Sequence, residues 1–174
     1  MSLSSSYIAT TRFNNESFIE NERWRERNNF TGCIYGTPIK IKENVVPNST
    51  IFVIEMNNDE NKIMGIGLIK NALHMPNKRI YSTGNYNRYT YKGKHRINRV
   101  NIDLNEEYEK VIKIMEELLF KGSRHMKRGH GITIVPDWIS NNKHINFKKY
   151  FNKMFDEDCA NLKTTSLLKT TSLK

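Results

Sequence analysis

Between residues 46 and 73 the chain carries two apolar runs, IFVIEM (51–56) and IMGIGLI (63–69), both rich in β-branched residues. The cluster NNDENK lies between them. Asn and Asp form turns because their side chains bond nearby backbone and tolerate left-handed geometry. The pattern predicts a β-hairpin. Neither run alternates with polar residues, so both faces of these strands are expected to be covered, as in a barrel or a sheet wrapped by helices. Gly65 and Gly67 share one face of the second strand, where a missing side chain permits bending or close approach of another backbone or a ligand.

The period changes further on. Tyr108, Val111, Ile112, Met115, Leu118 and Leu119 recur at helical spacing in 105–121, which predicts an amphipathic helix. Asp103 or Asn105 can cap it, Glu106 and Glu107 suit its positive end, and Gly122 can end it. Residues 144–158 place Phe147, Tyr150, Phe151, Met154 and Phe155 in an aromatic helical stripe. A shorter helix is expected within 14–30, capped by Asn15 or Ser17. SYIATTRF (6–13) reads as a first strand and ITIV (132–135) as a short one ahead of Pro136. Residues 32–41, bounded by glycines and broken by Pro38, read as a loop entering a short extended segment. Alternation places Tyr89 and Tyr91 on one face. In HRINRVNI (95–102) it puts Val100 and Ile102 on an apolar face and Arg99 and Asn101 on a polar one. The expected fold is α+β: a small curved mixed or antiparallel barrel-like sheet of five or six strands, with helices near 15–28, 105–121 and 144–156. It forms one domain over 1–160, followed by a loosely held tail at 161–174 that repeats KTTSL.

Composition narrows the partners. The 174 residues suit one domain, and 37% hydrophobic with 26% charged residues is globular. A net charge of +10 makes polyanions the first partners to consider. The abundant Asn residues are dispersed among apolar runs, which fits AT-rich coding bias rather than a low-complexity tract. Cys33 and Cys159 belong to no C-x-x-C pair, so a zinc ribbon is excluded, no disulfide framework is expected, and a reducing compartment fits best. No apolar run approaches the ~20 residues of a membrane span, and the first residues lack a signal-peptide pattern. An intracellular protein, cytoplasmic or nuclear, is expected.

The charge is concentrated. Seven Lys or Arg lie between Lys78 and Arg99, no acidic residue occurs from 70 to 102, and Tyr81, Tyr86, Tyr89 and Tyr91 are threaded among the cations. A second basic segment, 121–130, holds Lys121, Arg124, Lys127, Arg128, His125 and His130. Cations spaced along a groove can hold phosphates, and aromatics among them can stack bases at about 1–3 kcal/mol each. The candidate nucleic-acid contacts are Arg79, Arg88, Lys92, Lys94, Arg96, Arg99, Arg124, Lys127 and Arg128. Trp24, Tyr35, Tyr86 and Trp138 are candidate walls of a base pocket. The ordinary alternatives are a solvated cationic face for the charges and core packing for the rings.

Catalytic signals are sparse. Gly122, Gly129 and Gly131 do not make a P-loop, and no G-x-S-x-G occurs. The Glu60–Lys62 triplet of some nucleases falls in the hairpin turn, where nothing fixes its geometry. His125 and His130 lack a third metal ligand nearby. Glu55, inside an apolar strand, needs a partner if buried, and pairing with an arginine is its simplest reading. No catalytic residue, metal or cofactor is assigned.

The order of the N-terminal strand, FIENERWRERNNF, and VPNSTIFVIEMNNDENKIMGIGLIKN resembles the PUA-like superfamily, especially its EVE and YTH branches. Trp24 and Asn28–Asn29 resemble the first helical element, Gly65 and Gly67 occupy the hairpin's glycine places, and KHRINRVNI resembles the following strand. The likeness spans residues 6–102. The Tyr-rich basic segment is longer than in those domains, and loop 121–130 has no counterpart there. The resemblance implies a curved barrel with a pocket for a modified base in RNA or DNA. The composition also has a general likeness to proteins of large DNA viruses, which would place the chain in a host cell or virion. The expected function is a non-enzymatic nucleic-acid reader of single-stranded or modified nucleotides. The alternatives are a nuclease or base-modifying enzyme using Glu55 and a histidine, and a basic packaging protein that forms a homo-oligomer through its aromatic stripe.

Overall fold

The structure, a computed structural model, describes residues 5–171. The first four residues of the expected domain and the last three of the expected tail lie outside the described residues. In chain order the elements are β1 (Ser6–Phe13), α1 (Asn15–Arg27), β2 (Cys33–Thr37), β3 (Thr50–Asn57) and β4 (Lys62–Lys70). After a single 3-10 turn (Gly84–Asn87) come β5 (Tyr89–Gly93), β6 (His95–Asn98), α2 (Arg99–Ile102) and α3 (Glu106–Phe120). The chain continues through β7 (Thr133–Ile134), α4 (Asp137–Ser140) and α5 (Phe147–Thr171). The fold is mixed α+β. Its main sheet has five strands in the order β6-β4-β3-β1-β7, with β1 and β3 parallel, and β2 and β5 form a separate two-stranded antiparallel ribbon. No hydrogen-bonded ladder among the described residues closes the two sheets, so the strands number seven in two sheets rather than five or six around one barrel.

The β3–β4 hairpin shows why its strands lack alternation. Phe52, Ile54 and Met56 point into one core, shared with α3 and α5, while Ile51 and Val53 point into another, shared with α1 and the ribbon. Successive strand residues face opposite sides, and here each side is a hydrophobic core. Glu55 faces the ribbon side with Gly65 opposite it. A Cβ on Gly67 would stand 2.1 Å from the Tyr35 hydroxyl and 2.7 Å from Cys33 Sγ, so this glycine lets β2 lie directly on β4.

The helix ends follow the chemistry of their caps. The N-cap is Asn14 rather than Asn15 or Ser17: it accepts from Ser17 N at 2.8 Å, and Ser17 Oγ accepts from Asn14 N at 3.0 Å, a reciprocal capping box in which Ser17 is the third helical residue. Asn105 caps α3 through Glu107 N and Tyr108 N, and Gly122 follows its end at φ +76°. α5 runs well past its expected end at 156; from Ala160 onward its described residues are exposed.

Two elements differ from expectation. Residues 33–37 form a strand immediately after Gly32, because Cys33, Ile34 and Tyr35 bury against β4 and α1. The strand expected over 95–102 ends at Asn98 and turns into α2. The turn carries Arg99 inward, where Nη1 donates to the Ile63 carbonyl at 3.0 Å and pairs with Glu116, while Nε holds Asp103 at 2.6 Å. Val100, assigned by alternation to an apolar face, is instead 74% exposed. Val100→Lys is therefore expected to change stability by no more than about 0.5 kcal/mol, as a surface substitution does. A urea denaturation midpoint measures this, and a loss of several kcal/mol would restore the strand reading.

Candidate functional site

A cleft of about 340 Å³ opens where the C-terminal end of β1 meets the N-terminus of α1. Thr11, Arg12 and Phe13 supply one wall, and Ser17 and Glu20 of α1 supply a second. Tyr81 to Thr83 and Tyr86 close a third side, with Gly36 of β2, Asn58 of the β3–β4 turn and Gly131 completing the lining. The volume lies within the usual range of small-ligand sites.

The aromatic wall is held from behind. Asn21, 2% exposed, donates through Nδ2 to the Ile34 carbonyl at 2.7 Å and to the Tyr81 hydroxyl at 3.0 Å, and its Oδ1 accepts from Arg25 Nε at 3.0 Å. Burial pushes the Tyr81 phenol above its ordinary pKa, against the opposing effect of the Asn21 hydrogen bond, so the ring stays a neutral wall. Tyr86 meets Tyr81 edge-on at 6.5 Å between centroids. Tyr86 is only partly buried, and its hydroxyl accepts from Arg12 Nη2 at 3.5 Å. Arg12 forms no ion pair among the described residues. The lining thus holds one guanidinium against the carboxylates of Glu16 and Glu20, and Glu20 also accepts from Ser82 N at 2.9 Å.

Beneath this wall lies a buried charge cluster. Arg96 clamps Glu55 with two hydrogen bonds, 2.8 and 2.6 Å, and the Tyr35 hydroxyl donates to Glu55 at 2.9 Å. The two ion-paired side chains are 2% and 1% exposed. Burial alone would lower the Arg96 pKa, but the Glu55 carboxylate outweighs it and holds it above its ordinary value. Arg25 sits close by, its pKa lowered by burial and by the Arg96 charge, and its Nη2 is buried without a hydrogen-bond partner among the described residues. The pairing expected of Glu55 is present, and with it the carboxylate is shut off from solvent.

The candidate cations disperse to four places. Arg79 and Arg88 are exposed on either side of the cleft-lining 81–86 segment. Arg128 is exposed and Lys127 half-buried, and the Lys127 carbonyl accepts from the cleft residue Asn58 at 2.8 Å. Both basic segments therefore reach the rim of one cleft. Lys92 lies 4.4 Å above the Phe30 ring and 6.0 Å above Trp24, and Lys94 is exposed beyond it. Arg124 stacks at 4.4 Å on Trp138. Arg96 and Arg99 point inward to carboxylates and are not surface cations, a correction that follows from burial: Arg96 is the arginine that pairs with Glu55, and Arg99 is held by Glu116 and Asp103.

The four candidate pocket rings do not converge. Tyr86 lines the cleft. Tyr35 is fully buried on Glu55, Trp24 packs edge-on to Phe30 in the ribbon-side core, and Trp138 packs against the other core. His125 Nδ1 accepts from Lys127 N at 3.3 Å, and no group of three or more His, Cys, Asp or Glu among the described residues is arranged to hold a metal. Sequence reading missed Arg12, Phe13, Ser17, Glu20 and Tyr81 as cleft residues. Tyr81 stood in the singled-out basic stretch, but the others come from a strand end and a helix start whose meeting is tertiary. No described helix is long and apolar enough to cross a membrane. Comparison with known protein families, characterised proteins and solved structures returns no match for this chain.

Proposed function

We propose that the protein binds nucleic acid without catalysing a reaction, seating one unpaired or modified base in the cleft while rim cations hold the flanking phosphates. The observation that carries this reading is the approach of two basic segments, 78–99 and 121–130, to the rim of one cleft through Tyr81–Tyr86 and the Lys127 carbonyl. The cleft itself does not favour phosphate, since its two carboxylates outnumber Arg12. An uncharged aromatic ring fits it better: Tyr86 offers a partly open face for stacking, and Arg12 offers donors to a base carbonyl or ring nitrogen. Arg79, Arg88, Lys127 and Arg128 would then lie along the backbone. We read the ribbon packed on the main sheet as a half-open, barrel-like arrangement, compatible with the PUA-like resemblance.

Fluorescence anisotropy with single-stranded and duplex DNA and RNA, with and without methylated bases, tests this. One single-stranded or modified species is expected to bind preferentially and to keep that preference at high salt. If four cations contact phosphates, log K should fall with log salt at a slope of about −3 on a single strand. Tyr86→Ala, which removes one stacking ring at the surface, is expected to weaken binding by about 5–150-fold, the equivalent of 1–3 kcal/mol. Equal binding to every nucleic acid, lost in salt and indifferent to Tyr86, would instead mark a packaging surface.

A further inference from the structure

A second cluster of reactive side chains lies away from the cleft. Cys159 on α5 places Sγ 3.7 Å from Nδ1 of His95, the first residue of β6, and both residues are partly exposed. Asp158 precedes Cys159; burial pushes its carboxyl up, and the charge of His95 pulls it the other way. Three groups able to move and balance a proton thus meet where a helix crosses the first residue of a strand. None of the three is among the residues that line the cleft or the shallow depression beside Lys148 and Lys153. The other cysteine is the opposite case: Cys33 is 0% exposed, and burial pushes its thiol up to about 12.

We propose that Cys159 is a thiol modified by small hydroperoxides, with His95 as its base and Asp158 as the counter-charge to the imidazolium. His95, protonated on Nε2, accepts the thiol proton at Nδ1. The sulfur then attacks one peroxide oxygen, the S–O bond forms as the O–O bond breaks, and the leaving hydroxide takes the proton from His95 as water. Sulfur is oxidised to the sulfenic acid and the peroxide is reduced. Hydrogen peroxide needs no binding pocket, and none of the three groups lines the cleft or the depression beside Lys148 and Lys153. Oxygen added to Sγ would sit against β6, whose next residue, Arg96, grips Glu55, so the modification is placed to be felt at the edge of the main sheet.

The test is treatment of the full chain with hydrogen peroxide in the presence of dimedone, followed by peptide mass spectrometry and a rate measurement. Dimedone is expected on Cys159 and absent from Cys33, with Cys159 reacting about tenfold or more faster than glutathione under the same conditions. His95→Gln, checked for native circular dichroism, should slow labelling by a similar factor, and Cys159→Ser should abolish it. Labelling of Cys159 at the glutathione rate would overturn the proposal in the wild-type protein alone, whatever the variant does. A rate unchanged in folded His95→Gln, or label on Cys33 instead, would overturn it too.

Discussion

Arg96→Met is expected to destabilise the fold by about 3–5 kcal/mol, because it leaves the Glu55 carboxylate buried without its cation. Glu55 is 1% exposed, and after the substitution the Tyr35 hydroxyl would be its remaining hydrogen bond. Arg25 is near enough to act electrostatically on the cluster but donates no hydrogen bond to Glu55. Space was made for the clamp: a Cβ at position 65 would stand 2.8 Å from Arg96 Nη2 and 3.0 Å from Glu55 Oε2. The double variant Glu55→Met/Arg96→Met removes both charges and should recover much of the loss, since the penalty comes from stranding one charge rather than from losing a strong pair. Urea denaturation of the two single variants and the double one measures this. Losses that simply add would show that the two residues act independently and would contradict the clamp.

Phe52→Ala should cost a comparable amount, about 3–5 kcal/mol, by opening a cavity in the α-helical core. The ring is 1% exposed and lies 5.7 Å from both Phe151 and Phe155 across the sheet–helix interface. Such aromatic pairs add about 0.5–1.5 kcal/mol each beyond the area they bury. The loss should fall on α5 first. Amide hydrogen exchange is expected to accelerate across 147–155 more than across β2 and β5, which lie on the other core. Uniform acceleration would mean that the two cores melt as one unit at this site.

The sequence announced those parts of the molecule whose cause is local. The hairpin, β1 and α3 were legible because β-branched runs, a turn cluster and a 3.6-residue period carry their own signal, and their observed ends agree to within a residue. The two-sided burial of β3 was legible as well, from the absence of alternation. What stayed hidden depends on which elements meet. HRINRVNI alternates well enough to read as one strand throughout, yet Arg99 is drawn out of the pattern by Glu116 and the Ile63 carbonyl, groups 17 and 36 residues away. Arg96 read as a surface cation for the same reason: its acid lies 41 residues back on another strand. No local signal separates buried Tyr35 from half-open Tyr86, because Tyr35 is held inward by Glu55, 20 residues away on another strand. The cleft is built from a strand end, a helix start and a loop, and no single stretch of sequence contains it.

The most direct test of the proposed function asks where a bound base touches the chain. An oligonucleotide carrying one photoreactive base in an unpaired position would be cross-linked to the full chain with ultraviolet light. Mass spectrometry would then map the attached peptide. The proposed site predicts attachment at Tyr86 or its cleft neighbours Tyr81 and Phe13, suppressed by Tyr86→Ala. Cross-links confined to the lysines of α5, with none between Arg79 and Arg88, would contradict it and make the cleft a bystander to a charged surface.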